Sequence, residues 1–174
     1  MSKSSINTST YEAAKPILVA VDCIIFGFID DRIKLLVFER EVEPFAGQWS
    51  LPGSFVKKNE NISTAASRIL HELSNLSNIF MEQLHSFGDV NRDSGDRVIS
   101  VAYWSLIKPD TDLSSRKLRI DGHVTRWMDI DPLPKLVLDH TEMVKLALKK
   151  LKERTRFKPI GLELLPEEFT LPQL

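Results

Sequence analysis

Two runs of aliphatic, β-branched and aromatic residues, Ile17 to Phe28 and Ile33 to Phe38, are separated by little more than Asp30, Asp31 and Arg32. This spacing predicts a strand, a tight turn and a second strand, so any fold for the chain must accommodate that pair. The 174 residues are 43% hydrophobic and 27% charged, the balance of one ordinary globular domain, which excludes disordered and fibrous classes. A domain of this length buries about 70% of the surface its unfolded chain exposes, so it needs no disulfide or metal staple. Its one cysteine, Cys23, allows no intramolecular disulfide, and no Cys/His cluster supports a structural zinc site. Lying between Asp22 and Ile24-Ile25-Phe26, Cys23 reads as a small buried hydrophobe.

Beyond the paired runs, residues 43–53 carry two glycines, two prolines and Trp49, which predicts a shaped loop with a short strand nearby. Asn59 to Leu76 reads as a helix whose apolar stripe is Ile62, Ala66, Ile69, Leu73 and Leu76. Phe80 to Phe87, Val98 to Ile107 and Val124 to Ile130 are further strand candidates. Asp139 to Arg154 reads as a second helix, with Asp139 at the N-cap and basic residues in its last turns. These elements predict an α/β fold, a mixed sheet between two helices.

The formal net charge of −1 gives no electrostatic case for nucleic acid or an anionic membrane as partner. The polar first fifteen residues do not read as a signal peptide, and the longest apolar run is too short to span a bilayer. A cytoplasmic protein is therefore expected, with no membrane partner.

The segment from Leu51 to Glu60, followed by Arg68 to Leu76, carries the chemistry. It resembles the Nudix box, in which Gly, Glu, an Arg-Glu pair, a Glu-Glu pair and a late Gly recur at fixed spacing. Glu60 falls on the first Glu, Arg68 on the Arg, Glu72 on the first of the paired Glu, and Leu70 and Leu76 on aliphatic positions. Four positions depart: Ser54 stands for Gly, Ile69 for the Glu after Arg, Leu73 for the second paired Glu, and Asn75 for the late Gly. In the intact box, glutamates three and four apart share one helix face and hold Mg²⁺ against a diphosphate. There the metal neutralises phosphate charge and helps generate the attacking hydroxide. With Ile69 and Leu73 aliphatic, that face has lost its acidic patch, and only Glu72 stays at its edge as a metal-ligand candidate. No hydrolysis and no required cofactor are expected. Glu60 and Arg68 are expected to pair and hold the loop, while Glu72 and His71 read as solvent-facing.

The likeness extends to residues 22–28, Glu43-Pro44, Gly47 to Trp49, Glu82-Gln83, Phe87-Gly88, Arg92-Asp93, residues 97–103, Asp139-His140 and Leu164 to Leu171. Together these resemble the Nudix-related transcriptional regulators, which include repressors of NAD metabolism and sugar use. That resemblance implies a flexible tail over residues 1–15 and a Nudix-like, effector-sensing domain over 16–156. Residues 157–174 would then be a linker and the start of a missing C-terminal winged helix. The intact regulator would be a homodimer that meets DNA only through that module.

A nucleotide diphosphate or phosphosugar effector needs forked donors, which Arg40, Arg92 and Arg97 offer, and a flat apolar surface, which Phe55, Phe87 or Tyr103 offer. Each has a plainer reading. Arg40 ends a strand, Arg92 and Arg97 alternate with Asp89, Asp93 and Asp96, and the aromatic residues suit a core. The basic run Lys145, Lys149, Lys150, Lys152, Arg154 and Arg156 reads as a solvated face or as phosphate contacts. The effector cleft is expected between the 47–54 loop and the 92–97 loop. The alternative is a Mg²⁺-dependent hydrolase of ADP-ribose or a similar nucleoside diphosphate, its metal site rebuilt by Asp89, Asp93 or Asp96. A third reading, a purely structural dimerisation module, predicts no cavity.

Overall fold

The computed structural model describes residues 15–109, 118–120 and 123–157. Among these, the strands are β1 (Leu18–Ile29), β2 (Arg32–Glu39), β3 (Trp49–Ser50), β4 (Gly53–Phe55), β5 (Glu82–Phe87), β6 (Val98–Ile107), β7 (Leu118–Ile120) and β8 (His123–Asp129). The helices are α1 (Ile62–Ser74) and α2 (His140–Phe157).

The opening pair of runs forms an antiparallel hairpin. Asp30 and Asp31 both have positive φ, 51° and 58°, the backbone that matches a two-residue turn to the strand twist. Short polar side chains are among the few that tolerate it. On its other edge β1 runs parallel to β6, from Leu18↔Val98 to Gly27↔Ile107, so the sheet is mixed, in the order β5-β6-β1-β2-β8-β7. A central strand is covered on both faces, which explains the near-continuous apolar run. Val21, Cys23 and Ile25 share a core with Ala65, Ala66, Ile69 and Leu70 of α1. Ile24 and Phe26 share the other with Met143, Val144, Ala147 and Leu151 of α2. The result is the expected α/β/α sandwich.

Several expected boundaries shift for local reasons. The first helix begins at Ile62, because the Asn61 carboxamide oxygen accepts the Thr64 N–H at 3.0 Å and caps it. It ends at Ser74, before Asn75, which sits at φ 57° with its N–H bonded to the His71 carbonyl. Asn is the residue after Gly that best tolerates this left-handed cap, so the missing late Gly costs the fold little. Ile62 is exposed and Leu73 only half-buried, so the buried stripe is narrower than its spacing predicted. The strand expected from Phe80 starts at Glu82, with Phe80 exposed, and the short β7 was not foreseen. The expected N-terminal tail over 1–15 and C-terminal linker over 157–174 lie, apart from Lys15 and Phe157, outside the described residues, as do the side chain of Arg156 and the motif from Leu164 to Leu171; Phe157 closes α2.

One irregularity positions the site. β1 and β2 ladder only between the turn and Phe26↔Leu35. Beyond that point they part: β1 takes β4 through Ala20↔Phe55, Val21↔Ser54 and Asp22↔Gly53, while β2 takes β3 through Phe38↔Ser50 and Glu39↔Trp49. The fork is filled by residues 49–55, and a cavity opens at its mouth.

Candidate functional site

The cavity has a volume of about 550 Å³. Its walls come from Ala20 and Asp22 on β1, Phe38 and Arg40 around the end of β2, Ser50 and Gly53 to Phe55, the α1 side chains Ile69, Glu72 and Leu73, the loop residues Arg92 and Asp93, and Leu138 and His140 at the start of α2. It thus lies where the effector cleft was expected, and a module without a cavity is contradicted.

A buried polar cluster that the sequence reading passed over forms its inner end. Asp22 is 6% exposed and accepts the Ser100 hydroxyl at 2.5 Å. The His140 Nε2 lies 3.5 Å from one Asp22 oxygen and Arg92 Nη2 lies 3.7 Å from the other. Arg92 gives its two-pronged grip to Asp139, Nε to Oδ2 at 2.9 Å and Nη2 to Oδ1 at 2.7 Å. The Leu51 N–H donates to His140 Nδ1 at 3.1 Å. A backbone N–H can only donate, so Nδ1 carries no proton, and neutral His140 bears its proton on Nε2, facing Asp22. Burial holds the His140 pKa below the ordinary histidine value, with Asp22 opposing. Gly53 is required here: a Cβ at that position would stand 2.0 Å from Asp22 Oδ1. Only the interruption of an apolar run by Asp22 and the Asp139-His140 pair marked this cluster in the sequence.

Of the forked donors, the three arginines part company. Arg92 is in the wall, but its guanidinium is buried and taken by Asp139. Arg97 is outside the cavity, its Nη1 donating to the carbonyls of Asp89 at 3.2 Å and Val98 at 3.3 Å, so it ties its own loop. Arg40 is in the wall, makes no ion pair among the described residues, and has a buried Nε without a hydrogen-bond partner. Among the aromatic candidates, Phe55 is 51% exposed and lines the cavity. Tyr103 belongs to the α1-side core, and Phe87 packs at the edge of the α2-side core against His85. Neither lines the cavity.

The three acidic and basic remnants of the box meet in one cluster. Arg68 grips Glu60 with Nε at 2.9 Å and Nη2 at 2.6 Å, and reaches Glu72 with Nη1 at 2.9 Å. The Arg68 hydrogen bonds bring the Glu60 carboxyl down to about 2. Glu60 also accepts the Lys57 N–H at 2.8 Å, so the pair closes the turn before α1, as expected. Glu72 is half-exposed yet engaged by Arg68, which amends its reading as a merely solvated residue.

These residues do not fit a Mg²⁺ site of the box kind. The Ile69 side chain is fully buried in the wall where a carboxylate would stand, Leu73 is beside it, and Glu72 is held by an arginine. Asp89 and Asp93 spend an oxygen each on the N–H of Asn91 and Gly95, both at 2.8 Å, and Asp96 on the N–H of Arg97 at 2.6 Å. Among the described residues no three His, Cys, Asp or Glu side chains converge to hold a metal. On the basic run, Lys145 pairs with Glu142, and Arg154 pairs with Glu82 while stacking over Trp104. No described helix is long and apolar enough to cross a membrane.

Comparison with known proteins places this architecture. The NUDIX domain family model matches residues 16–147. The chain belongs to the Nudix family. This Nudix domain is 29% identical over 161 residues to the ADPR responsive transcriptional repressor NtrR of Acinetobacter baylyi, covering 90% of the chain and 63% of the repressor. It therefore spans less than two thirds of that relative. It is 31% identical over 127 residues to the ADP-ribose pyrophosphatase of Methanocaldococcus jannaschii, covering 73% of the chain and 70% of that enzyme. In structure it resembles the NUDIX domain of Shewanella oneidensis NrtR, solved with ADP ribose, at a TM-score of 0.72 and 25% identity over 84% of this chain and 99% of that one. It is thus a Nudix domain closely related to the NrtR-type regulators.

Proposed function

We propose that this Nudix domain is the ADP-ribose-sensing part of a transcriptional regulator and binds its effector without metal or turnover. The observation that carries this reading is the cavity wall itself. Where the box helix would present carboxylates to a metal, Ile69 and Leu73 present hydrocarbon, while Arg40 keeps an unpartnered donor in the same cavity. An anionic diphosphate is then met by a guanidinium directly, not through a cation. Phe55, half-exposed at the mouth, offers a flat face for an adenine or ribose ring. The resemblance to an ADPR-responsive repressor and to a domain solved with ADP ribose supports the choice of ligand. DNA contact is assigned to a further module, with two copies in a dimer, since this domain's charge gives no basic footprint.

The hydrolase reading keeps one support, the likeness to an archaeal ADP-ribose pyrophosphatase. The two are separated by incubating the purified chain with ADP-ribose and Mg²⁺ or Mn²⁺ and following AMP release. The sensor reading predicts no steady turnover. Turnover that Glu72→Gln abolishes would establish the hydrolase instead.

A further inference from the structure

The polar ties of α2 lie at its two ends, Arg154 on Glu82 at the far end and a larger group at the cavity. Its middle is held by hydrocarbon, with Met143, Val144 and Ala147 fully buried. At the cavity end several polar ties gather, among them Arg92 on Asp139, the Leu51 N–H on His140, His140 Nε2 beside Asp22, and the Val137 N–H on the Trp49 carbonyl at 3.0 Å. Arg92, Leu138 and His140 also line the cavity, whereas Asp139 does not. Whatever fills the cavity therefore meets the side chains that fix the first turn of α2.

The charges at this end are one guanidinium between two carboxylates. Arg92, its side chain 3% exposed, has one carboxylate close, Asp139 at 2.7 Å, and a second farther off, Asp22 at 3.7 Å. Such a trio, two of its three side chains buried, is a poor way to add stability, because desolvation offsets much of the attraction. It is a good way to make a helix end responsive. An anion entering the cavity competes with Asp139 for the guanidinium and repels its carboxylate.

Resting on the ADP-ribose reading above, we propose that Arg92 and Asp139 form a latch between the cavity and α2, which an anionic effector opens. Asp139 acts through Arg92 as a positioning residue and does not touch the ligand. Helix α2 is the element through which occupancy is passed on toward the C-terminal side of the chain.

The latch makes two expectations that simple ligand stabilisation would not. With ADP-ribose, amide exchange should slow in residues 50–55 but quicken in residues 142–147 of α2, by about fivefold, the low end of coupling between two sites. By reciprocity, Asp139→Asn, which weakens the latch, should bind ADP-ribose about fivefold tighter, and Asp139→Glu, which can re-form both bonds, should return toward the wild-type affinity. A folded Asp139→Asn variant with equal or lower affinity would overturn the latch. So would wild-type exchange in 142–147 that slows with the rest, a measurement that needs no variant to fold. Absence of any heat on titrating the wild type with ADP-ribose would overturn the effector reading, and the latch as its regulator with it. Heat without the α2 response would overturn the latch alone.

Discussion

His140 Nδ1 accepts the backbone N–H of Leu51 at 3.1 Å, joining the first residue of α2 to the loop that fills the fork of the sheet. That bond exists only while the imidazole is neutral. Burial lowers the folded-state pKa below 6.5, so the folded protein resists a proton that the unfolded chain takes up. The His140 contribution to stability should be complete above pH 6.5 and fade as the pH falls below it. Denaturant unfolding from pH 7.5 down to about pH 5 should show this decline, in the span where an ordinary histidine titrates. His140→Asn, whose amide oxygen can accept from Leu51, should flatten it. An unchanged slope in the variant would assign the pH dependence elsewhere.

Gly53→Ala should be among the most damaging small substitutions in the chain. The added methyl would collide with Asp22 Oδ1 at 2.0 Å and drive that carboxylate off the Ser100 hydroxyl. A loss of about 1–3 kcal/mol is expected for overpacking against the buried Asp22 carboxylate. Added to Asp22→Ala, which removes the obstacle, the same substitution should cost clearly less, and a double-mutant cycle on thermal or urea unfolding measures the difference. Full additivity would mean that the clash is relieved elsewhere.

At the C-terminal end of α1, Asn75 holds a left-handed backbone with φ 57°. Asn75→Gly should be neutral or slightly stabilising. Asn75→Val should lose about 1–2 kcal/mol, the cost of that conformation for a branched side chain. Equal unfolding midpoints for the two variants would contradict the strained cap.

Much of the fold was legible in the sequence because its signals are local. The hairpin follows from two apolar runs and a two-aspartate turn, and α1 from its stripe, whereas the Asn61 and Asn75 caps that set its ends emerge only in the structure. Of the departures from the box, Ile69 is buried as its stripe predicts and Asn75 caps α1, whereas Leu73 is only half-buried. The site was less legible because it depends on who meets whom across the sheet fork. Arg40, Arg92 and Arg97 are equivalent as letters. Asp139 lies 47 positions from Arg92 and takes its guanidinium, two loop carbonyls take that of Arg97, and Arg40 remains. The same limit applies to Asp22 and His140, which lie 118 positions apart in the chain and 3.5 Å apart in space.

Restoring the two missing glutamates should not cost the same at each place. Ile69 is fully buried, so Ile69→Glu should lower stability by several kcal/mol unless its carboxyl stays protonated. Leu73 is half-buried at the cavity wall, so Leu73→Glu should cost markedly less. Urea unfolding of the two single variants at neutral pH gives the comparison. Equal costs would show that the α1 wall is not arranged as described.

The central claim, metal-free recognition of an anionic effector, is tested most directly by calorimetric titration of the chain with ADP-ribose in excess EDTA. Saturable binding at one site per chain is the predicted result. Arg40→Ala should weaken it by about 1.5–3 kcal/mol, the worth of a hydrogen bond to a charged group. Binding that appears only when Mg²⁺ is restored, or that Arg40→Ala leaves untouched, would contradict it.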